Sequence, residues 1–233
     1  SFEKITVRPL SKGIKPQIEK GSVKVTFPGV GQYTIEFDDI HQVLTVFINP
    51  DKKFTVDELN SELIYFGPGV HHINERIKLN DGQTLFIDEG AVLYGAIEAT
   101  DKKNIRIIGY GILDNSNMER ANEMNGCAVL DPDAGENTGN PIFLNRCENV
   151  LIEGITIVNA SGWSIYVDGC ADVIGDNIKL IGMWRYNSDG CDICNSKNVI
   201  LKNSFLRNFD DCIVIKGFKL NNDLPIENVI AEN

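Results

Sequence analysis

From Lys24 to Asn49 the chain reads KVTFPGVGQYTIEFDDIHQVLTVFIN, short runs of alternating apolar and polar residues broken by Pro-Gly, Gly-Gln and Asp-Asp. Alternation with period two between such breakers predicts an antiparallel β module, because successive side chains of a strand point to opposite faces. Residues 49–62, NPDKKFTVDELNSE, lose the pattern and read as a linker. The linker closes a first module over residues 1–62 and leaves a second domain over residues 63–233. That domain opens with LIYFGPGVHHI, LFIDEGAVLYGAI and NIRIIGYGILD, each a short apolar strand flanked by Gly, Asn or Asp. No segment beyond residue 65 sustains a helical period, so an all-β architecture is expected.

An internal repeat selects the architecture. ENVLIEGITI (148–157), ADVIGDNIKL (171–180), KNVILKNSFL (197–206) and ENVIAEN (227–233) vary one phrase, and their valines fall at positions 150, 173, 199 and 229, at intervals that widen along the chain. Such spacings, with several strands and turns per unit, predict the coils of a parallel β-helix with loops of variable length. Each residue would then stack on its equivalent one coil away, about 4.8 Å along the axis. Asp168, Asp189 and Asp210 recur at a constant interval (189 − 168 = 210 − 189), as do Cys170, Cys191 and Cys212. The cysteines read as an inward or turn-lining stack, whereas matching SIYV (164–167) with CDIC (191–194) and IVIK (213–216) moves Asp168 to the far end of its strand. Residues 115–139, NSNMERANEMNGCAVLDPDAGENTG, interrupt the repeat with a long polar insertion that could wall one side of a groove.

Composition narrows the options. The 233 residues are 42% hydrophobic, enough for a real core, and no apolar run approaches the roughly 18 residues of a membrane span, so a soluble protein is expected. A net charge of −11 argues against nucleic acid or an anionic membrane as partner. Six cysteines do not make a disulfide scaffold, and the single CxxC at Cys191 and Cys194 lacks the second pair or histidines of a zinc site. No metal and no cofactor are expected. SFEKITVRPL lacks the apolar centre of a secretion signal, so export would mean that the signal has been removed.

RYNSDGCDICNSKNVILKNSFLRNFDDCIVIKG (185–217) carries the candidate chemistry. With coils stacked, Asp189 and the pair Asp210-Asp211 lie on neighbouring turns. Like charges that close cannot all ionise at their ordinary pKa, so one carboxyl is expected to keep its proton near neutrality while its neighbours accept one. That division of labour suits hydrolysis of a glycosidic bond. Asn and Asp at strand ends are often plain turn residues, but a bare stack of acids would destabilise a fold that had neutral Asn available.

NSDGCDI followed by NFDDCIVIKG resembles the NTDGIDI and DDCIAIK motifs of glycoside hydrolase family 28, the polygalacturonase-like right-handed parallel β-helix enzymes. GYGILD (109–114) and NPIFLNRCENVLIEGITIVNASGWSIYVDGC (140–170) add to the resemblance, which covers roughly residues 65–233. It implies an inverting, single-displacement hydrolysis of a pectin- or polygalacturonate-like polysaccharide or oligosaccharide. By motif position Asp210 is then the general acid, with Asp189 and Asp211 on the base side that activates water. An acid-to-base separation of roughly 6.5–9.5 Å follows for an inverting site. Asn187, Arg185, Lys216 and Trp184 are the candidate substrate contacts. Trp163 and Trp184, set apart by the same interval as the aspartates, offer a sugar platform or pack beneath loops. His71 and His72 follow a Pro-Gly turn and read as surface residues.

Two departures matter. The family's Gly-His-Gly segment and its Arg-x-Lys motif have no counterpart in these residues, and the sequence stops mid-coil at ENVIAEN, which reads as a C-terminally incomplete piece that need not be active alone. The N-terminal module resembles the small β-sandwich preceding the helix in some bacterial relatives. Two alternatives stand beside the hydrolase. One is a calcium-dependent polysaccharide lyase, with the acids as oxygen ligands and Arg185 or Lys216 as base. The other is a non-catalytic, adhesin-type carbohydrate-binding β-helix. A secreted or periplasmic monomer that degrades cell wall polysaccharide is expected.

Overall fold

The computed structural model describes residues 3–52, 54, 62–118, 139–182, 187–217, 221 and 223–232, with backbone alone at 123–124 and 127–128. Most of the predicted insertion therefore lies outside the described residues. The chain divides into two compact units, Ser1–Lys53 and Phe54–Asn233.

In the first unit, Ile5–Arg8, Gly31–Phe37 and Asp39–Ile48 form a three-stranded antiparallel sheet, and Gln17–Glu19 pairs with Ser22–Lys24 as a separate hairpin. Its buried hydrophobic residues are Val7 on the first strand and Tyr33 and Ile35 on the second, where Thr34 and Glu36 between and beside them are buried too. Asp38, in the left-handed region at φ 61°, turns the chain between the two longer strands, and its Oδ1 accepts the N–H groups of Glu3 and Lys4.

The second unit is a parallel β-solenoid of about six turns. One face stacks Leu63–Phe66, Thr84–Ile87, Lys103–Ile108, Glu148–Glu153, Ala171–Asp176, Lys197–Lys202 and Glu227–Glu232. A ten-stranded sheet supplies two further faces, joined where Ala91–Thr100 pairs with Ile112–Asp114 through its first half and with Ile142–Asn145 through its second. The second face continues through Thr156–Val158, Lys179–Gly182 and Phe205–Asn208. The third continues through Ile165–Asp168, Cys191–Cys194 and Ile213–Lys216. Inward residues Leu93, Leu113, Ile157 and Leu180 of the second face meet Ile152, Val173, Val167 and Ile193 of the other two in one apolar core.

The predicted valine column is present: Val150, Val173, Val199 and Val229 pair in register through four coils. The polar residue before each valine has a structural task. Asn149, Asp172, Asn198 and Asn228 sit in the left-handed region at φ 52–57°, where Asn and Asp are tolerated far better than β-branched residues. Asn149 donates to Asn104 Oδ1 at 2.7 Å, Asn198 to Asp172 Oδ1 at 2.9 Å and Asn228 to Asn198 Oδ1 at 3.0 Å, a side-chain ladder along the outside of the first face.

The expected cysteine stack is not formed. Cys191 pairs with Ile165 on one side and Ile213 on the other, Cys212 is exposed, and Cys170 instead stacks on Cys147, whose N–H donates to Cys170 Sγ at 3.3 Å. The next member of that column is Ser196, whose Oγ accepts the Cys170 N–H at 2.9 Å. The reason is coil length. The circuit from Ile165 to its partner Cys191 is longer than the one from Cys191 to Ile213, so a constant interval in sequence marks no constant position on the coil. By the same register Asp168 aligns with Cys194 and Lys216, away from the other two acids.

Asn198→Ala should lower stability by about 1–2 kcal/mol in denaturant unfolding, since it loses two ladder bonds and puts a Cβ-bearing, non-polar residue at positive φ. An unchanged midpoint would mean that the ladder is ornamental.

Candidate active site

The acids occupy the corner between the second and third faces, where Gly182 leads to Cys191 in one coil and Asn208 to Ile213 in the next. Three successive coils are laced together here by backbone bonds. The Ser164 N–H donates to Asp189 O at 2.8 Å, the Gly190 N–H to Asp211 O at 2.8 Å and the Cys191 N–H to Cys212 O at 3.0 Å. Counting back from the Cys191–Ile213 pair sets Asp189 level with Asp211, and Ser188 with Asp210. The chain winding therefore brings the three predicted acids together, with Asp211 as the stacking equivalent of Asp189.

Gly190 permits this approach. A Cβ there would stand 2.2 Å from the Cys212 carbonyl oxygen, inside the backbone of the next coil. Asn208, which the sequence reading did not single out, braces the same corner: its Nδ2 donates to Ser188 O at 3.0 Å, and the Ser188 hydroxyl donates to Gly182 O.

Taking one carboxylate oxygen from each, Asp189, Asp210 and Asp211 lie within 4.8 Å of one another. Asp189 is 5% exposed, whereas the other two face solvent, and Asp189 Oδ1 has no hydrogen-bond partner among the described residues. Burial, then the Asp210 charge, pushes the Asp189 carboxyl from 3.8 up to about 6, against a smaller opposing pull from Lys216. Asp189 therefore holds its proton to a higher pH than an ordinary aspartate, yet it is mostly ionised at neutrality, which suits a proton acceptor rather than a donor. The oxygen-to-oxygen spacing is shorter than the expected 6.5–9.5 Å between acid and base. A 4.8 Å gap accommodates one bridging water with two bonds of about 2.8 Å. Three acidic oxygens at this spacing could also hold a hard cation.

The third face, beside this corner, carries a second polar group. Asp192 is fully buried and accepts from Lys216 Nζ at 2.7 Å through Oδ1. Burial raises its carboxyl to about 7 even against the adjacent ammonium. Lys216 Nζ lies 3.6 Å from the centroid of the Trp163 ring. Trp163 Nε1 points to Asn187 Oδ1 at 3.4 Å, a long contact, and Asn187 is itself in the left-handed region at φ 58°. The Trp163 ring also packs edge-on against Tyr166 and is 4% exposed, so it is a support beneath the site and no sugar platform. Lys216 and Asn187 thus stand beside the acids, while Trp184 and Arg185 lie outside the described residues. Asp192 was missed because an acid at a strand position reads as solvated; its partner appears only once the coil offset is known.

The family described as Glycosyl hydrolases family 28 matches residues 47–231. The chain belongs to it. Among curated relatives, the probable exopolygalacturonase B of Aspergillus flavus is 25% identical over 239 residues, covering 84% of this chain and 53% of the relative. The probable exopolygalacturonase B of Aspergillus terreus is 33% identical over 119 residues, covering 47% of this chain and 27% of the relative. This family 28 chain therefore spans about half the length, or less, of those relatives. Two solved structures share the fold. The family 28 exopolygalacturonase of Yersinia enterocolitica has a TM-score of 0.60 at 17% identity over 86% of this chain and 52% of that one. Dex49A of Penicillium minioluteum has a TM-score of 0.64 at 16% identity over 97% of this chain and 54% of that one.

Two outcomes follow from the corner's geometry. The folded chain keeps the Asp189 proton up to about pH 6, while an unfolded aspartate releases it near 3.8, so ionised Asp189 opposes folding above that window. Asp189→Asn should stabilise the protein by about 1–3 kcal/mol near pH 8 and by nothing near pH 4, as read by denaturant midpoints at both values. Gly190→Ala should lower the melting temperature by several degrees, about 1–3 kcal/mol, through overpacking against the Cys212 carbonyl.

Proposed function

We propose that the solenoid is a glycosidase that hydrolyses a polygalacturonate-like polysaccharide by acid/base catalysis at Asp189, Asp210 and Asp211. The observation that carries the reading is a buried carboxyl, raised to about 6, within reach of two solvent-facing carboxylates on the next coil. Membership of family 28 and the exopolygalacturonase names of the relatives support the substrate class. Asp210, open to solvent and first of its pair, donates a proton to the leaving oxygen. Asp189, ionised above its pKa, takes the proton of a water that it shares with Asp211. With its oxygens within 4.8 Å of one another, the cluster admits a bridging water. The reading extends to an exported protein acting on cell wall pectin. No helix among the described residues is long and apolar enough to cross a membrane.

The lyase alternative needs a strong base beside the acids. Lys216 is a poor candidate, since its ammonium is paired with Asp192 and lies over the Trp163 ring.

Incubation with polygalacturonate should release reducing ends without unsaturated product, and chelator should leave the rate unchanged. Asp210→Asn should lower kcat by about a hundredfold or more. The rate should fall as pH drops through about 6, where Asp189 takes up its proton and can no longer act as base. An absorbing double bond in the product, or a rate that rises below pH 6, would overturn the assignment.

A further inference from the structure

The pair Asp192 and Lys216 has no part in the proton transfers, yet its form is unusual for a structural contact. Asp192 faces outward from the third face, between the inward Cys191 and Ile193, and is nevertheless fully buried. Its Oδ1 is bound to Lys216, but its Oδ2 has no hydrogen-bond partner among the described residues. A buried carboxylate satisfied on one side costs desolvation, and an apolar residue of similar size would serve stability better. Lys216 is held by the 2.7 Å bond to Asp192 and by the Trp163 ring at 3.6 Å, among other contacts, while its side chain keeps 30% exposure. The ammonium is thus fixed in direction yet reachable from solvent.

Its neighbours explain why such a cation matters. Lys216 Nζ is bonded to Asp192 at 2.7 Å and its charge is felt by Asp189, whose oxygens lie within 4.8 Å of those of Asp210 and Asp211, so the ammonium stands within electrostatic range of the acid cluster. A sugar bearing a carboxylate would be repelled from that cluster unless a positive group faced it. A lysine already immobilised loses little side-chain entropy on binding it.

We propose that Asp192 is a positioning residue that fixes the Lys216 ammonium over Trp163 beside the acid cluster, so that this ammonium selects a uronate over its neutral methyl ester. The inference rests on the glycosidase reading of the same corner and adds the element of substrate charge. Asp192 acts through Lys216 and does not itself touch the sugar.

The test uses Asp210→Asn as the parent, in which turnover is suppressed, and measures its affinity for tetragalacturonate and for the fully methyl-esterified tetramer by calorimetry. Adding Asp192→Asn or Lys216→Gln should weaken tetragalacturonate binding by about tenfold or more and leave the ester within about twofold, because only the charged ligand uses the ammonium. Lys216→Arg should hold the uronate within about threefold of the parent, since it keeps the cation. Equal losses for both ligands, no loss in either variant, or a parent that binds neither would overturn the proposal. Loss in Lys216→Gln with none in Asp192→Asn would overturn the role of Asp192. Circular dichroism melting checks each fold; if Asp192→Asn does not fold, the Lys216→Gln and Lys216→Arg pair decides. Hydrolysis by the unmutated protein is scored separately. Turnover without charge-selective loss defeats this inference alone, and charge-selective binding without turnover defeats the catalytic reading alone.

Discussion

The parallel hydrogen-bond register between successive coils is the constraint on which everything else rests. Each strand of the solenoid binds the equivalent strand one turn away, so side chains a full circuit apart in sequence become neighbours about 4.8 Å from one another. The Ser164, Gly190 and Cys191 amides carry that register into the corner that holds the acids. Without these bonds Asp189 and Asp211 would be two turn residues on separate loops. With them, Asp189 is buried and sheds its proton only near pH 6, above the range of an exposed aspartate.

Burial and charge are arranged in opposition at this corner. Asp189 is enclosed while Asp210 and Asp211 stay open to water, so one carboxyl is governed by its surroundings and two by solvent. The Lys216 ammonium tempers the negative field without cancelling it, because Asp192 beside it is both its partner and a further carboxyl. Small residues make the arrangement sterically possible: Gly190 leaves room for the Cys212 carbonyl, and Gly182 for the Asn208 amide.

The architecture was legible because its signal is redundant. Apolar positions recur in every coil, and Val150, Val173, Val199 and Val229 occupy one column as their phrase suggested. The meeting of Asp189 with Asp210-Asp211 was legible for the same reason. Finer register was not. The equal spacing of Cys170, Cys191 and Cys212 suggested a column, but coils of unequal length scatter those thiols over different positions. The polar residue before each valine, Asn149, Asp172, Asn198 and Asn228, carried no separate signal in the sequence, and only its positive φ and side-chain bonds reveal the ladder. Asp192 stayed hidden because an acid's burial depends on what packs over a strand's outer side, which a local pattern does not record.

The variable coil length also bears on how such a chain can change over time. The circuit between Ile165 and Cys191 is longer than the next one, between Cys191 and Ile213, yet the strands at both ends remain in lateral alignment. Extra residues are absorbed at corners, outside the ladder. Insertions and deletions there can remodel the rim that meets a glycan while the reacting groups keep their mutual positions, which separates the evolution of selectivity from that of the chemistry.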